Sequence, residues 1–396
     1  MSPPASRRRH RLHRNISGLV ASAATLAATF GITACASDTT PVSTPVVIVA
    51  PSTSAEPLPT IPKPLESELV PYAEQAKNPG DALVRIVTSV DGPVIERDLT
   101  PLRGKDVEHG SAKDRKIREN IEALKQDLAN VQATAPGLEL VRLMDRASQY
   151  PRARMLVLSS GASTEPPVDL DVRGLSFNPA DIAESIHRQG LLNLTGHHVT
   201  FVGLGITGGS VQPRLPAYGR RLLEDLWMQI CEKAGADRCD IAESEPMAAP
   251  PRASLPVPLV PVPAAYTDPA TGCVRHQQFS DSELRFAPDS AVLPVSADDV
   301  LRPLVESASR CEVRQVEVVG HIACTALDGH DSSNLSGRRA DAVAARLVAL
   351  GLPPSLLGTV VGRGASEPVI PNLTPSGRFI ESAAVLNRRV EVTLWQ

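Results

Sequence analysis

The sequence predicts two folded modules, an α/β sheet domain over residues 81–240 and an α+β domain over residues 276–396, behind a secretory N-terminus. Three observations predict this. Strands alternate with helices through the middle of the chain, as in a mostly parallel sheet. A second series of strands and helices begins near residue 281, beyond a proline-rich stretch. Residues 1–34 set a basic run before an uncharged apolar one, the pattern of an export signal.

The chain has 396 residues, of which 42% are hydrophobic, enough for two modest cores. Aromatic residues make up only 3%, and no train of alternating strands carries aromatic girdles, which argues against a membrane β-barrel. Net charge is -4 with no long basic tract beyond the extreme N-terminus, so nucleic acid is not an expected partner.

The N-terminus reads as an address. Arg7, Arg8, Arg9, Arg11 and Arg14 precede an uncharged run from Ile16 to Ala34. The run ends in Ile32-Thr33-Ala34-Cys35, which resembles the bacterial lipobox. That resemblance implies cleavage before Cys35, a diacylglyceryl group on its sulfur, and a mature protein anchored in the cell envelope. More than one acyl chain is needed for stable anchoring. The arginine run lacks the apolar pair of a twin-arginine signal, since Arg9-His10-Arg11 follows, so ordinary secretion is the expectation.

Residues 36–80 are expected to form a Pro/Thr/Ser-rich tether and residues 241–275 a Pro-rich linker. Such segments favour extended polyproline II, and roughly 30–45 residues at ~3.1 Å each reach on the order of 100 Å. Cys231, Cys239, Cys273, Cys311 and Cys324 remain once Cys35 is set aside. Disulfides are permitted outside the cytoplasm. Cys231 with Cys239, and Cys273 with Cys311, are the candidate pairs; Cys324 is left over, and spacing alone does not give connectivity.

In the middle module, Leu83 to Val90 reads as a strand and residues 112–134 as a charged helix with Ile117, Ile121, Leu124, Leu128 and Val131 on one stripe. Leu138 to Ser148 is a second helix. Met155 to Leu158 is a continuous apolar run, as in a strand buried on both faces. Ile182 to Arg188 is a short helix, Val199 to Leu204 a strand, and Leu222 to Ala234 a closing helix capped at Gly235. This order resembles a Rossmann or von Willebrand factor A-like sheet, with Met155 to Gly161 and Val199 to Gly205 as middle strands. Such domains hold a metal through an Asp-x-Ser-x-Ser turn after the first strand. The stretch taken as that turn is Thr88-Ser89-Val90-Asp91-Gly92, and Ser160 stands at the later acidic position. A divalent cation needs several convergent oxygens, so neither metal nor cofactor is expected.

Three further patterns are read as structural. Gly203-x-Gly205-x-x-Gly208 follows a strand, but Pro213 and Pro216 prevent a helix from starting at its third glycine. His197 and His198 are strand neighbours and point to opposite faces. Ser159-Ser160-Gly161 lacks the frame of a nucleophile elbow. No catalytic set emerges, and the chain is expected not to be an enzyme.

In the C-terminal module, Leu284-Arg285-Phe286 is expected to open a short strand. Ser296 caps a helix with Val300, Leu301, Leu304, Val305 and Ala308 on its inner face. Val316 and Val318 alternate toward Gly320-His321. A helix begins at Leu335-Ser336-Gly337-Arg338-Arg339-Ala340 and ends before Gly351 and Pro353. Gly362-Arg363-Gly364 follows, and Asn387-Arg388-Arg389-Val390-Glu391 to Leu394 is expected as a final strand. These motifs, in this order, resemble the OmpA-like domain shared by OmpA, Pal and MotB proteins. The pattern there is Gly-His-Thr-Asp, Leu-Ser-x-x-Arg-Ala, Gly-x-Gly and Asn-Arg-Arg-Val-Glu. The resemblance covers about 115 residues and implies a βαβαβ domain with helices on a mixed four-stranded sheet.

It also implies a ligand, the diaminopimelate residue of peptidoglycan, with an Asp for its ammonium and the Leu-Ser-x-x-Arg arginine for its carboxylate. Arg339 keeps the second role. Ala323 stands where the Asp belongs, and Asp328 or Asp331 in the following loop is the candidate replacement. His321, Asn387 and Arg388 complete the expected site. The whole chain then reads as an envelope lipoprotein tethering membrane to wall, with room for an envelope protein partner at residues 81–240. Two other readings stay open: a degenerate domain serving as a protein-interaction scaffold, and a ligand-sensing α/β domain presented at the wall.

Overall fold

The computed structural model describes residues 44–207, 211–242, 256–268, 271–325, 334–374 and 376–396, which fall within one compact unit. The first module runs β1 (Val46–Val49), α1 (Lys63–Glu74), β2 (Leu83–Val87), β3 (Ile95–Asp98) and a hairpin of β4 (Leu102–Arg103) and β5 (Asp106–Val107). Next come α2 (Lys113–Ala129), α3 (Leu140–Ser148), β6 (Arg154–Leu158), and a hairpin of β7 (Thr164–Glu165) and β8 (Val168–Asp169). It closes with α4 (Leu170–Arg173), α5 (Pro179–Arg188), β9 (His198–Val202), α6 (Ala217–Lys233) and β10 (Arg238–Ala242).

The six-stranded sheet has the order β10-β9-β6-β1-β2-β3. Every pair in it is parallel except β2 with the edge strand β3. Alternation sends Val47, Val49, Met155, Val157, Val199 and Phe201 toward α3, α5 and α6. Val46, Ile48, Val84, Ile86 and Leu156 pack on α1 and α2. Both faces are therefore covered, the usual condition for a parallel sheet.

The tether expected over residues 36–80 is corrected from Val46 onward, residues 36–43 lying outside the described residues. Val46–Val49 pairs in parallel with β2 on one side and β6 on the other, at the centre of the sheet. All four side chains are buried. A run of Val-Val-Ile-Val between prolines is a doubly buried strand, not a leash. Pro62 then sits at the N-cap of α1 with proline in the first turn, where no N–H is missed. The turn after the first strand is accordingly Ala50-Pro51-Ser52-Thr53-Ser54, which carries no carboxylate. Thr88 to Gly92 lies after the second strand. Glu56, just beyond the Ala50 to Ser54 turn, accepts the backbone N–H of Ser160 at 2.8 Å and also its hydroxyl. Among the described residues no cluster of three or more His, Cys, Asp or Glu side chains has the geometry to hold a metal ion.

The second module comprises β11 (Ala265–Thr267), β12 (Val274–Ser280), a helical turn α7 (Asp281–Leu284), α8 (Asp298–Arg310) and β13 (Gln315–His321). It continues through α9 (Leu335–Ala349), β14 (Leu357–Gly362), α10 (Glu381–Asn387) and β15 (Arg389–Trp395). The sheet has five strands, β11-β12-β15-β13-β14, rather than four, because β11 adds an edge. Only β13 and β14 are parallel. The strand expected at Leu284–Phe286 is corrected: Ser280 and Glu283 form a capping box that starts α7, and Arg285 ends it in a left-handed conformation. Asn387 is likewise corrected from strand to the last residue of α10.

The Pro-rich linker at 241–275 is corrected in its second half. Val260 is 1% exposed, and its N–H and C=O both bond the side-chain amide of Gln212, at 2.8 and 2.9 Å. Helix α6 then meets the second sheet. The ring of Tyr218 stacks on Tyr266 and packs against His276, and the Arg221 guanidinium lies 4.4 Å from the Trp395 ring centroid. Two disulfides form, Cys231–Cys239 and Cys273–Cys311. Among the described residues no helix is long and apolar enough to cross a membrane. The N-terminal signal and Cys35 lie outside the described residues.

Candidate functional site

The start of α9 rests directly on the ends of two strands. A Cβ on Gly320 would fall 2.0 Å from the Ser336 carbonyl oxygen, and one on Gly362 would fall 2.2 Å from the Gly337 nitrogen. Glycine is required at both places because backbone touches backbone. The Gly364 N–H donates to the Ser336 hydroxyl at 3.0 Å, and the Ile322 N–H donates to the Gly364 carbonyl at 3.0 Å. The Leu-Ser, Gly-His and Gly-x-Gly motifs thus form one junction.

Arg339 projects from the second turn of α9. Its Nε donates to the Ser290 carbonyl at 2.9 Å. Its Nη1 donates to both oxygens of Asp281, at 3.1 and 3.0 Å. The guanidinium carbon lies 4.9 Å from the Phe286 ring centroid, within cation–π range. Only 3% of the side chain is exposed. Arg388 reaches the same carboxylate from the other side, 4.0 Å away, and pairs more closely with Glu381. Burial pushes the Asp281 carboxyl upward, and Arg339 and Arg388 oppose that rise.

The remaining expected site residues divide. Asn387 is buried and spent internally: its carbonyl oxygen accepts from Val369 N and Ile370 N, and its amide donates to the Ile370 carbonyl and to Asn372. Asn372 in turn bonds both the N–H and C=O of Cys324. The pair therefore holds the loop that leaves β13, a structural duty that corrects the ligand role expected of Asn387. Asn372 carries no motif and was not legible from sequence. Asp328 and Asp331 lie outside the described residues.

His321 is also corrected. It is 2% exposed and points away from the α9 junction, onto the sheet face covered by the first module. Alternation along β13 and β15 puts His321, Val319 and Glu317 on that face with Arg389, Glu391 and Thr393. His276 joins them from β12. Burial and the nearby Arg389 push the His321 pKa down to about 3, against a smaller opposing effect of Glu391, whose Oε1 lies 3.7 Å from Nε2. Burial takes His276 down to about 4. For Glu391, burial alone would raise the pKa, but Arg389 at 2.8 Å and the two histidines hold it at about 2. At its centre Glu391 pairs with Arg389 beside the two neutral imidazoles, so the buried carboxylate has a buried cationic partner.

Several solved structures show similarity to this chain, three of them as follows. A MotB-like protein from Desulfovibrio vulgaris is 26% identical, covering 33% of this chain and 76% of that one, with a TM-score of 0.26. The cell wall anchor of the T6SS from Pseudomonas aeruginosa is 26% identical over 33% of this chain and 87% of that one, TM-score 0.26. The OmpA-like domain of FopA1 from Francisella tularensis is 25% identical over 30% and 73%, TM-score 0.23. No curated protein matches. The OmpA family model matches residues 285–381, the stretch that contains the α9 junction, Arg339 and the first residue of α10, and the C-terminal module of this chain is an OmpA-family domain.

Proposed function

We propose that this chain is a cell-envelope lipoprotein that binds diaminopimelate-type peptidoglycan non-covalently through its OmpA-like domain. It is held to a membrane by lipid on Cys35 and performs no chemistry of its own. The observation that carries the reading is the α9 junction, intact down to its two close-contact glycines, with Arg339 at the family's carboxylate-binding position. Asp328 or Asp331 supplies the ammonium partner that Ala323 cannot. The first module, whose strand order supports the von Willebrand factor A-like reading, is in this reading the site for an envelope protein partner.

The test is cosedimentation of the full chain, lacking only residues 1–35, with purified diaminopimelate-type peptidoglycan. Free meso-diaminopimelate is the competitor. Pelleting that the competitor reverses supports the reading. Absence of pelleting favours a second reading, motivated by Ala323, in which the domain is a protein-interaction scaffold. Lipidation is tested separately by metabolic labelling with palmitate, which Cys35→Ala should abolish.

A further inference from the structure

We propose that Asp281 is a built-in competitor at the wall-binding site, so that a ligand carboxylate reaches Arg339 only by displacing Asp281. The inference rests on the peptidoglycan reading and adds a regulating residue to it. Arg339 already makes three hydrogen bonds to protein oxygens, two of them to Asp281. Its guanidinium is packed on Phe286 and nearly sealed from solvent. Arg388, the other arginine assigned to the ligand, also approaches Asp281. Both cations offered to the wall thus converge on one internal carboxylate with the chemistry of the ligand group they are meant to bind.

The two sides of this ion pair are held differently. Arg339 sits on a helix of 15 residues whose inner face belongs to the domain core. Asp281 sits on a turn of four residues, fixed by the Ser280–Glu283 capping box and by its own N–H to the Arg388 carbonyl at 3.2 Å. The Asp281 side chain keeps 22% of its surface exposed. Displacement therefore moves the short turn and leaves α9 in place. Net affinity is the difference between two similar charge-assisted contacts, which is small even when each is strong. The inference also gives the chain a selectivity: a lone carboxylate exchanges evenly with Asp281, whereas a ligand that also carries an ammonium gains from the released Asp281.

The experiment compares the chain lacking residues 1–35 with its Asp281→Asn variant, using diaminopimelate-type peptidoglycan and, separately, acetylated peptide fragments whose stem amine is blocked. Asn keeps the size and one acceptor and removes the charge. The variant is expected to bind the amine-blocked fragments roughly tenfold more tightly than wild type, the scale of one charge-assisted hydrogen bond. Asp281→Glu, which restores the charge, should return toward wild-type affinity. Should Asn unfold the turn, Asp281→Ser keeps an acceptor at the first helical position and reads the same change. Unchanged or weaker binding by folded variants overturns the proposal and leaves the wall reading standing, since wild type still binds. If neither wild type nor variant binds, the wall reading falls and this proposal falls with it.

Discussion

The ring of Tyr218, on the first turn of α6, lies stacked on Tyr266 of the OmpA-like sheet, with centroids 5.2 Å apart and planes 10° from parallel. The Tyr218 side chain also meets His276, centroid to centroid at 4.5 Å. One helix thus serves both modules, since Leu223, Leu226, Trp227 and Ile230 of the same helix are buried in the core of the first. The modules should therefore unfold as coupled bodies. Tyr218→Ala removes a buried aromatic ring from the junction, at about 3 kcal/mol. Scanning calorimetry should show one transition for the wild type and two for the variant. Two transitions in the wild type would rule out the coupling, and a single unshifted transition in the variant would show that Tyr218 does not carry it. An isolated fragment from residue 271 onward would bare the His276, His321, Arg389 and Glu391 face, so binding is properly measured on both modules together.

Acid should loosen the same junction. His276 and His321 are neutral in the fold, with pKa values of about 4 and about 3 against 6.5 for an ordinary histidine. The unfolded chain therefore takes up more protons as pH falls below 6.5, and stability declines from there to about pH 3. Glu391, held at about 2 against 4.5, adds to the loss at the lower end, because its stabilisation disappears as it protonates. Denaturant melts from pH 7.5 to 4 should show the decline, and His276→Asn with His321→Asn should flatten it between pH 6.5 and 4. An equally steep profile in the double variant would place the effect elsewhere.

Much of this was legible in sequence because the period of the apolar residues survives tertiary packing. Ile117, Ile121, Leu124 and Leu128 read as a helix face and are one. The motifs from Gly320 to Gly364 read as a family pattern in order and spacing; that they meet in one junction, where only glycine allows the close backbone approaches, is shown by the fold. Strand β1 was hidden by the prolines around it, which have the same composition as a leash; nothing local shows that Val46–Val49 is paired on both sides. The fate of His321 and Arg389 was not readable either. Alternation gives the face of a strand but not what covers that face, and here it is a helix from another module. Arg339 was placed correctly on its helix, yet its partner Asp281 lies 58 residues away and belongs to no motif.

Glu56 makes a sharper prediction within the first module. Its carboxylate is 2% exposed and is held by the Ser160 N–H and hydroxyl. Burial raises its pKa above 4.5, outweighing those hydrogen bonds. A carboxyl with a raised folded pKa favours the fold most below 4.5, and that contribution is lost as pH rises through the folded value. Glu56→Gln should therefore be as stable as wild type or more so at pH 7, and lose that advantage at pH 4. Glu56→Ala leaves the buried Ser160 groups unpaired and should cost about 1–3 kcal/mol at either pH. Chemical denaturation of both variants at the two pH values checks this; a Gln variant much weaker than wild type at pH 7 would contradict it.

The two disulfides should differ in what they contribute. Cys273–Cys311 spans 38 residues and joins the start of β12 to the end of α8, whereas Cys231–Cys239 spans 8 and joins α6 to the edge strand β10. Closing the longer loop removes more entropy from the unfolded chain, about 4 kcal/mol against about 2.5 kcal/mol. Cys273 and Cys311 also lie in the core of the OmpA-like domain, where serine would bury two hydroxyls in place of an apolar bridge. The double variant Cys273→Ser, Cys311→Ser should therefore lose more stability in urea than Cys231→Ser, Cys239→Ser. The loss should appear as a lower midpoint of the shared transition, followed by the fluorescence of Trp395 and Trp227. Equal losses for the two pairs would show that the unfolded chain stays compact enough for loop length not to matter.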